Sequence, residues 1–113
     1  MKIQVSSPHE LPERPSIQLQ VGEPVMVGDR DTEWPEFVFV SSAAGSGWVP
    51  ARHLSASSGA AVVEVAYDTK ELAVVAGQQV TVVARDDASG WWWCRDNTGA
   101  EGWVPVAVLR DAP

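Results

Sequence analysis

Basic residues are scarce in this chain: 8 Lys and Arg stand against 15 Asp and Glu in 113 residues, giving a formal charge of −7 and a pI of about 4.6. Phosphate backbones and anionic membrane surfaces are held by clustered Lys and Arg, so neither a nucleic acid nor a membrane is expected as a partner. The same charge favours a cationic ligand, and it also serves the solubility of a small domain. Cysteine is limited to Cys94, which excludes an intrachain disulfide. Cys94, His9 and His53 offer no CxxC or HxxxH spacing, so no metal and no cofactor is expected. No apolar run is long enough for a signal peptide or a membrane span, and the resulting expectation is a cytoplasmic protein. Helical periodicity is missing too: no segment sustains a 3.6-residue apolar period over three turns.

What the chain does contain is a repeat. Gly47-Trp48-Val49-Pro50 returns as Gly102-Trp103-Val104-Pro105, an offset of 55 residues. Ile17/Leu72, Leu19/Val74, Gly22/Gly77, Val25/Val80, Val27/Val82 and Leu54/Leu109 share that offset, so one supersecondary design is used twice. Val25-Met26-Val27, Phe37-Val38-Phe39-Val40, Val62-Val63-Glu64-Val65 and Val80-Thr81-Val82-Val83 read as strands. Gly, Asp and Ser clusters separate them, as in small all-β barrels. The polar stretch Ser55-Ala56-Ser57-Ser58-Gly59-Ala60 reads as a linker, dividing the chain into domains at 1–55 and 61–113.

The second repeat carries Val65-Ala66-Tyr67-Asp68-Thr69, Glu71-Leu72, Gly77 before Val80-Thr81-Val82, Trp91-Trp92, and Gly102-Trp103-Val104-Pro105 with Leu109. In order and spacing these residues resemble an SH3 domain over residues 61–110. The first repeat is similar more loosely, keeping Gly22, Val25, Val27, Gly47-Trp48-Val49-Pro50 and Leu54, with Ile3 to His9 as its first strand. The pair resembles the tandem SH3-like proteins of bacteria, which implies two tandem SH3-like β-barrels. Strand alternation then turns Val63, Val65, Leu72, Val74, Val80, Val82, Cys94, Val104 and Leu109 inward in one barrel. Ile17, Leu19, Val25, Val27, Val40, Val49 and Leu54 turn inward in the other.

Six tryptophans exceed what two small cores can bury. Alternation puts Trp91 and Trp93 on one side of a strand and Trp92 on the other. The resemblance implies a shallow groove in the second barrel lined by Tyr67, Trp91, Trp93, Trp103 and Pro105, with Asp68 and Glu71 beside it and Asp86 and Asp87 in the next loop. Flat aromatic faces suit a proline-rich peptide, which is stiff before it binds, and the acidic loops suit an Arg or Lys within it. Thr69 and Val108 stand where the family has further tyrosines, so half of the proline-gripping wall is absent. In the first barrel the matching positions are Phe37, Trp48, Pro50 and His53, with His9 near the opening and Trp34 in the flanking loop.

A thiol hydrolase would need an accessible Cys94 thiolate beside a histidine, but strand alternation turns Cys94 inward. The glycines of Gly45-Ser46-Gly47 precede neither a Lys nor a helix, so they form no phosphate loop. Pro12-Glu13-Arg14-Pro15 reads as a loop stiffened by its prolines. The expectation is a non-enzymatic protein-interaction module that binds a protein or a proline-rich or basic peptide. A structural role, with the tryptophan faces buried between the barrels or in a homodimer, stands beside it.

Overall fold

Two-residue alternation of apolar and polar side chains writes most of the strands. The computed structural model describes residues 2–110. Its strands are β1 (Lys2–Val5), β2 (Gln18–Leu19), β3 (Pro24–Arg30), β4 (Phe37–Ser42), β5 (Gly45–Pro50), β6 (Gly59–Val62), β7 (Tyr67–Asp68), β8 (Gln79–Asp86), β9 (Trp91–Arg95), β10 (Glu101–Pro105) and β11 (Leu109–Arg110). Among the described residues the only helical elements are single 3-10 turns at Ala51–His53 and Val106–Val108, each directly after a Gly-Trp-Val-Pro. The all-β expectation therefore holds.

The chain divides into two units, and not at residue 55. One is continuous, Arg14–Thr69; the other is split, joining Met1–Glu13 to Lys70–Pro113. The continuous unit holds an antiparallel sheet in the order β5-β4-β3-β6 and a ribbon of β2 with β7. Its buried side chains include Ile17, Leu19, Val25, Val27, Val38, Val40, Val49, Leu54, Ala61 and Val63. The split unit holds an antiparallel sheet in the order β10-β9-β8-β1-β11. Ile3, Val5, Leu72, Val74, Val80, Cys94 and Val104 form its core, with Val82, Trp92, Val108 and Leu109 packed against them. Burying each such aliphatic side chain contributes about 1.5–3 kcal/mol, so Ile3 and Val5 anchor the N-terminal arm to this unit.

The repeat survives in the geometry. Gly22 and Gly77 both adopt φ +88° at the turn before β3 and β8, where a side chain would be strained. Register irregularities recur between Val27 and Arg30 and between Val82 and Ala84. The first strands, however, are crossed over. Ile3 stands opposite Val80 as Ala61 stands opposite Val25, and Val5 opposite Leu109 as Val63 opposite Leu54. His9 stands opposite Val74 as Tyr67 opposite Leu19.

Several expectations are corrected by this arrangement. The segment Ile3 to His9 does not complete the first repeat; its strand pairs with β8 and β11. Gly59 and Ala60, read as linker, lie in β6, and the Ser55 N–H donates to the Val62 carbonyl at 2.9 Å. Val65, read as inward, is 51% exposed because β7 begins two residues later and the strand period breaks there. The strand pairings form a five-stranded, a four-stranded and a two-stranded sheet, and none of them closes into a barrel. In the split unit the chain leaves β10 through the Val106–Val108 turn and resumes as the two-residue β11 beyond β1.

Candidate binding face

In the β9–β10 hairpin Trp91 stands opposite Pro105, Trp92 opposite Val104, Trp93 opposite Trp103 and Cys94 opposite Gly102. Directly opposed residues share a face of the sheet. Trp92, Cys94 and Val104 therefore turn to the core, and Trp91, Trp93, Trp103 and Pro105 make up the other face. The three tryptophans of that face are half-buried and Pro105 is buried. Trp93 and Trp103 meet edge to face, with ring centroids 5.2 Å apart.

Carboxylates fix the rings. Trp93 Nε1 donates to one oxygen of Glu101 at 2.7 Å, and Arg95 Nε donates to the other at 2.7 Å. The Trp93 bond first, then the Arg95 bond, holds the Glu101 carboxyl below its ordinary range. On the core side of the hairpin Trp92 Nε1 donates to Asp87 at 2.8 Å, and the Arg85 guanidinium lies 4.6 Å from the Trp92 ring centroid.

His9 is the unexpected member of this face. It exchanges backbone bonds of 2.9 and 3.0 Å with Val74, which carries its imidazole to Trp91, edge-on at 5.3 Å. His9 Nε2 lies 2.7 Å from Glu71 Oε1. Glu71 is held in turn by the crossing of residues 70–72 over β10: the Leu72 N–H donates to the Trp103 carbonyl at 3.1 Å, and the Trp103 N–H to the Lys70 carbonyl at 2.9 Å. A Cβ on Gly102 would stand 2.6 Å from the Glu71 carbonyl carbon. The glycine of the repeated tetrapeptide is thus the space through which the Glu71 segment passes.

The continuous unit repeats the pattern in smaller rings. Phe37 stands opposite Pro50 and Phe39 opposite Trp48, with Phe39 and Trp48 edge to face at 5.2 Å. Phe37 and Pro50 are buried. The Arg14 guanidinium lies 5.0 Å from the Phe39 ring centroid. Trp34 is half-buried in the loop before β4, where its backbone N–H donates to Asp31 Oδ1 at 3.2 Å.

Tyr67 and Asp68 belong to this unit, not to the one that holds Trp91. Tyr67 is buried and meets the His53 ring edge-on at 5.2 Å. Asp68 accepts a bond from Gln18 Nε2 at 3.3 Å. Tyr67, Asp68 and Gln18, together with Leu19, Gln20 and Ala66, border a shallow depression of about 210 Å³. The crossed-over arms explain the reassignment, since they deliver His9 to Trp91 and Tyr67 to His53. The residue that sequence reasoning missed is Phe39. Its signal was available: it is two residues after Phe37, and it takes the position that Trp93 holds in the other hairpin.

Neither face carries a nucleophile. Cys94 is fully buried, and burial pushes its thiol up to about 11.

Residues 65–106 match the SH3 domain family. The matched stretch begins in the continuous unit and runs from Lys70 onward through the split unit. No curated protein and no solved structure matches the chain.

Proposed function

We propose that this chain is a non-catalytic protein-interaction module in which Trp91, Trp93, Trp103 and Pro105 receive an extended peptide. The register of β9 with β10 carries the reading: it turns three half-exposed indoles and a buried proline onto one face, away from the core. An aromatic cluster of this kind binds ligands that are stiff before they dock, and a polyproline-type segment is one. The match of residues 65–106 to the SH3 domain family supports an interaction role. Glu71 and Glu101 border the rings, and the chain's net charge of −7 favours Lys or Arg beside the ligand's prolines. The Phe37, Phe39, Trp48 and Pro50 face already carries Arg14, so the split unit is the principal binding site.

The test is titration of proline-rich, arginine-containing peptides into the full chain, followed by tryptophan fluorescence, with Trp91→Ala as the variant. The expected result is saturable binding that weakens at least tenfold in a Trp91→Ala protein of unchanged far-UV circular dichroism. Unchanged affinity in that variant refutes the reading. Absence of peptide binding, together with a dimer in sedimentation that Trp103→Ala dissolves, would assign the face to a second copy instead.

A further inference from the structure

We propose that the first-strand arms of the two units are exchangeable, so that the chain has a second topology in which residues 59–69 complete the 70–110 unit and residues 2–9 complete the other.

The two slots are the same slot. In each, an arm lies antiparallel to the long strand that follows a φ +88° glycine, and its second apolar residue pairs with the leucine after the 3-10 turn. The two arms also carry one pattern. Ile3, Val5 and His9 sit where Ala61, Val63 and Tyr67 sit, and Ile3, Val5, Ala61, Val63 and Tyr67 are all buried. Exchange therefore returns each of these residues to a position with an equivalent backbone partner.

Two independent observations point to the exchanged state. The family match runs without a break from residue 65 to 106, whereas the compact units divide that stretch at Thr69 and Lys70. In the exchanged topology the matched residues lie in one unit. The exchanged chain would also pass between its units once, through residues 55–58. Three of those four residues are serine, all four are small, and Ser55, Ser57 and Ser58 are exposed, as a linker requires. Ile3 against Ala61 is the largest mismatch between the arms. It favours the present arrangement, because Ile3 would crowd a site now filled by alanine. Exchange would also replace His9 by Tyr67 beside Trp91, giving the binding face a different wall.

Paired cysteines in a Cys94→Ala background distinguish the two topologies. Gln4 stands opposite Gln79 now, and Val62 stands opposite Pro24; after exchange Val62 would stand opposite Gln79. Gln4→Cys with Gln79→Cys should oxidise readily within one chain. Val62→Cys with Gln79→Cys should also form an intrachain disulfide, at least tenfold more slowly, because the arms must first open. Adding Ile3→Ala and Ala61→Ile should raise its yield at least tenfold by reversing the mismatch. The proposal fails if the 62–79 disulfide does not form within a chain while the 4–79 disulfide reaches completion. It fails equally if the 62–79 disulfide joins only separate chains. If the variant with Ile3→Ala and Ala61→Ile does not fold, the result with native arms decides.

Discussion

Gly102→Ala should be among the most damaging single-methyl substitutions in this chain, and Gly47→Ala, its counterpart in the repeat, close to harmless. At Gly102 the added Cβ would lie 2.6 Å from the Glu71 carbonyl carbon, 2.7 Å from the Leu72 nitrogen and 2.9 Å from the Glu71 oxygen. Carbon contacts are comfortable at about 3.5–4.0 Å, so residues 70–72 must retreat by about 1 Å. All three obstacles are backbone, and no rotamer change relieves them. The retreat strains the Leu72–Trp103 and Lys70–Trp103 hydrogen bonds, each contributing about 1 kcal/mol, on top of about 1–3 kcal/mol for overpacking. The gain from a stiffer unfolded chain offsets about 0.4–1 kcal/mol. The expected net loss is about 2–4 kcal/mol. At Gly47 the nearest atom is the Thr69 Cγ2, at 3.4 Å, a side-chain methyl that can give way. The expected loss there is under about 1 kcal/mol. Urea unfolding reads the difference through tryptophan fluorescence, since Trp91, Trp92, Trp93 and Trp103 report on the unit of Gly102 and Trp34 and Trp48 on the unit of Gly47. Equal midpoints for the two variants, or a Gly102→Ala protein as stable as the parent, would refute the steric argument.

Ile3→Ala removes a buried side chain that stands opposite Val80 and should cost about 2–4 kcal/mol, seen as a lower urea midpoint of the tryptophan fluorescence signal. An unchanged midpoint would mean that the arm does not anchor the split unit. Cys94, raised by burial from 9.0 to about 11, stays protonated in the folded chain where the unfolded chain has already ionised. Stability should therefore fall as pH rises from about 9 towards 11, with a slope of up to about 1.4 kcal/mol per unit that disappears in Cys94→Ala. Glu101, lowered by its bonds to Trp93 and Arg95, contributes stability above its ordinary pKa that is lost as pH falls through its depressed one. A Glu101→Gln protein should show a shallower acid loss of stability than the parent, and an identical acid profile would remove Glu101 from the account.

The 55-residue offset made strands, turns and faces legible because each rests on local chemistry. Gly22 and Gly77 mark turns that only glycine enters easily, and Val27 and Val82 mark the same alternation twice. Partner choice for the arms was not legible. Ile3-Gln4-Val5 and Ala61-Val62-Val63 carry interchangeable period-two patterns, so periodicity identifies both as strands and assigns neither. Proximity along the chain suggested the local partner, and the chain pairs the distant one. The candidate site inherited that error at the arms: His9 and Tyr67 traded places and Asp68 went with Tyr67, while Trp91, Trp93, Trp103 and Pro105 depended on hairpin register and stayed together.

The split unit also sets an order of events during synthesis. Ile3 leaves the ribosome well before Val80, its partner across the sheet, has been translated. The Arg14–Thr69 unit, made in one stretch, emerges ahead of Val80 and can begin to close first. Pairing at long sequence separation must meet its loop-closure cost before any contact compensates it, which makes the arm's docking slow. Throughout that wait Lys2–Val5 is an unpaired strand with one apolar face, Ile3 and Val5, the kind of segment that chaperones hold and neighbouring nascent chains capture. A newly made chain thus completes its five-stranded sheet only after its other unit has all its strands in hand.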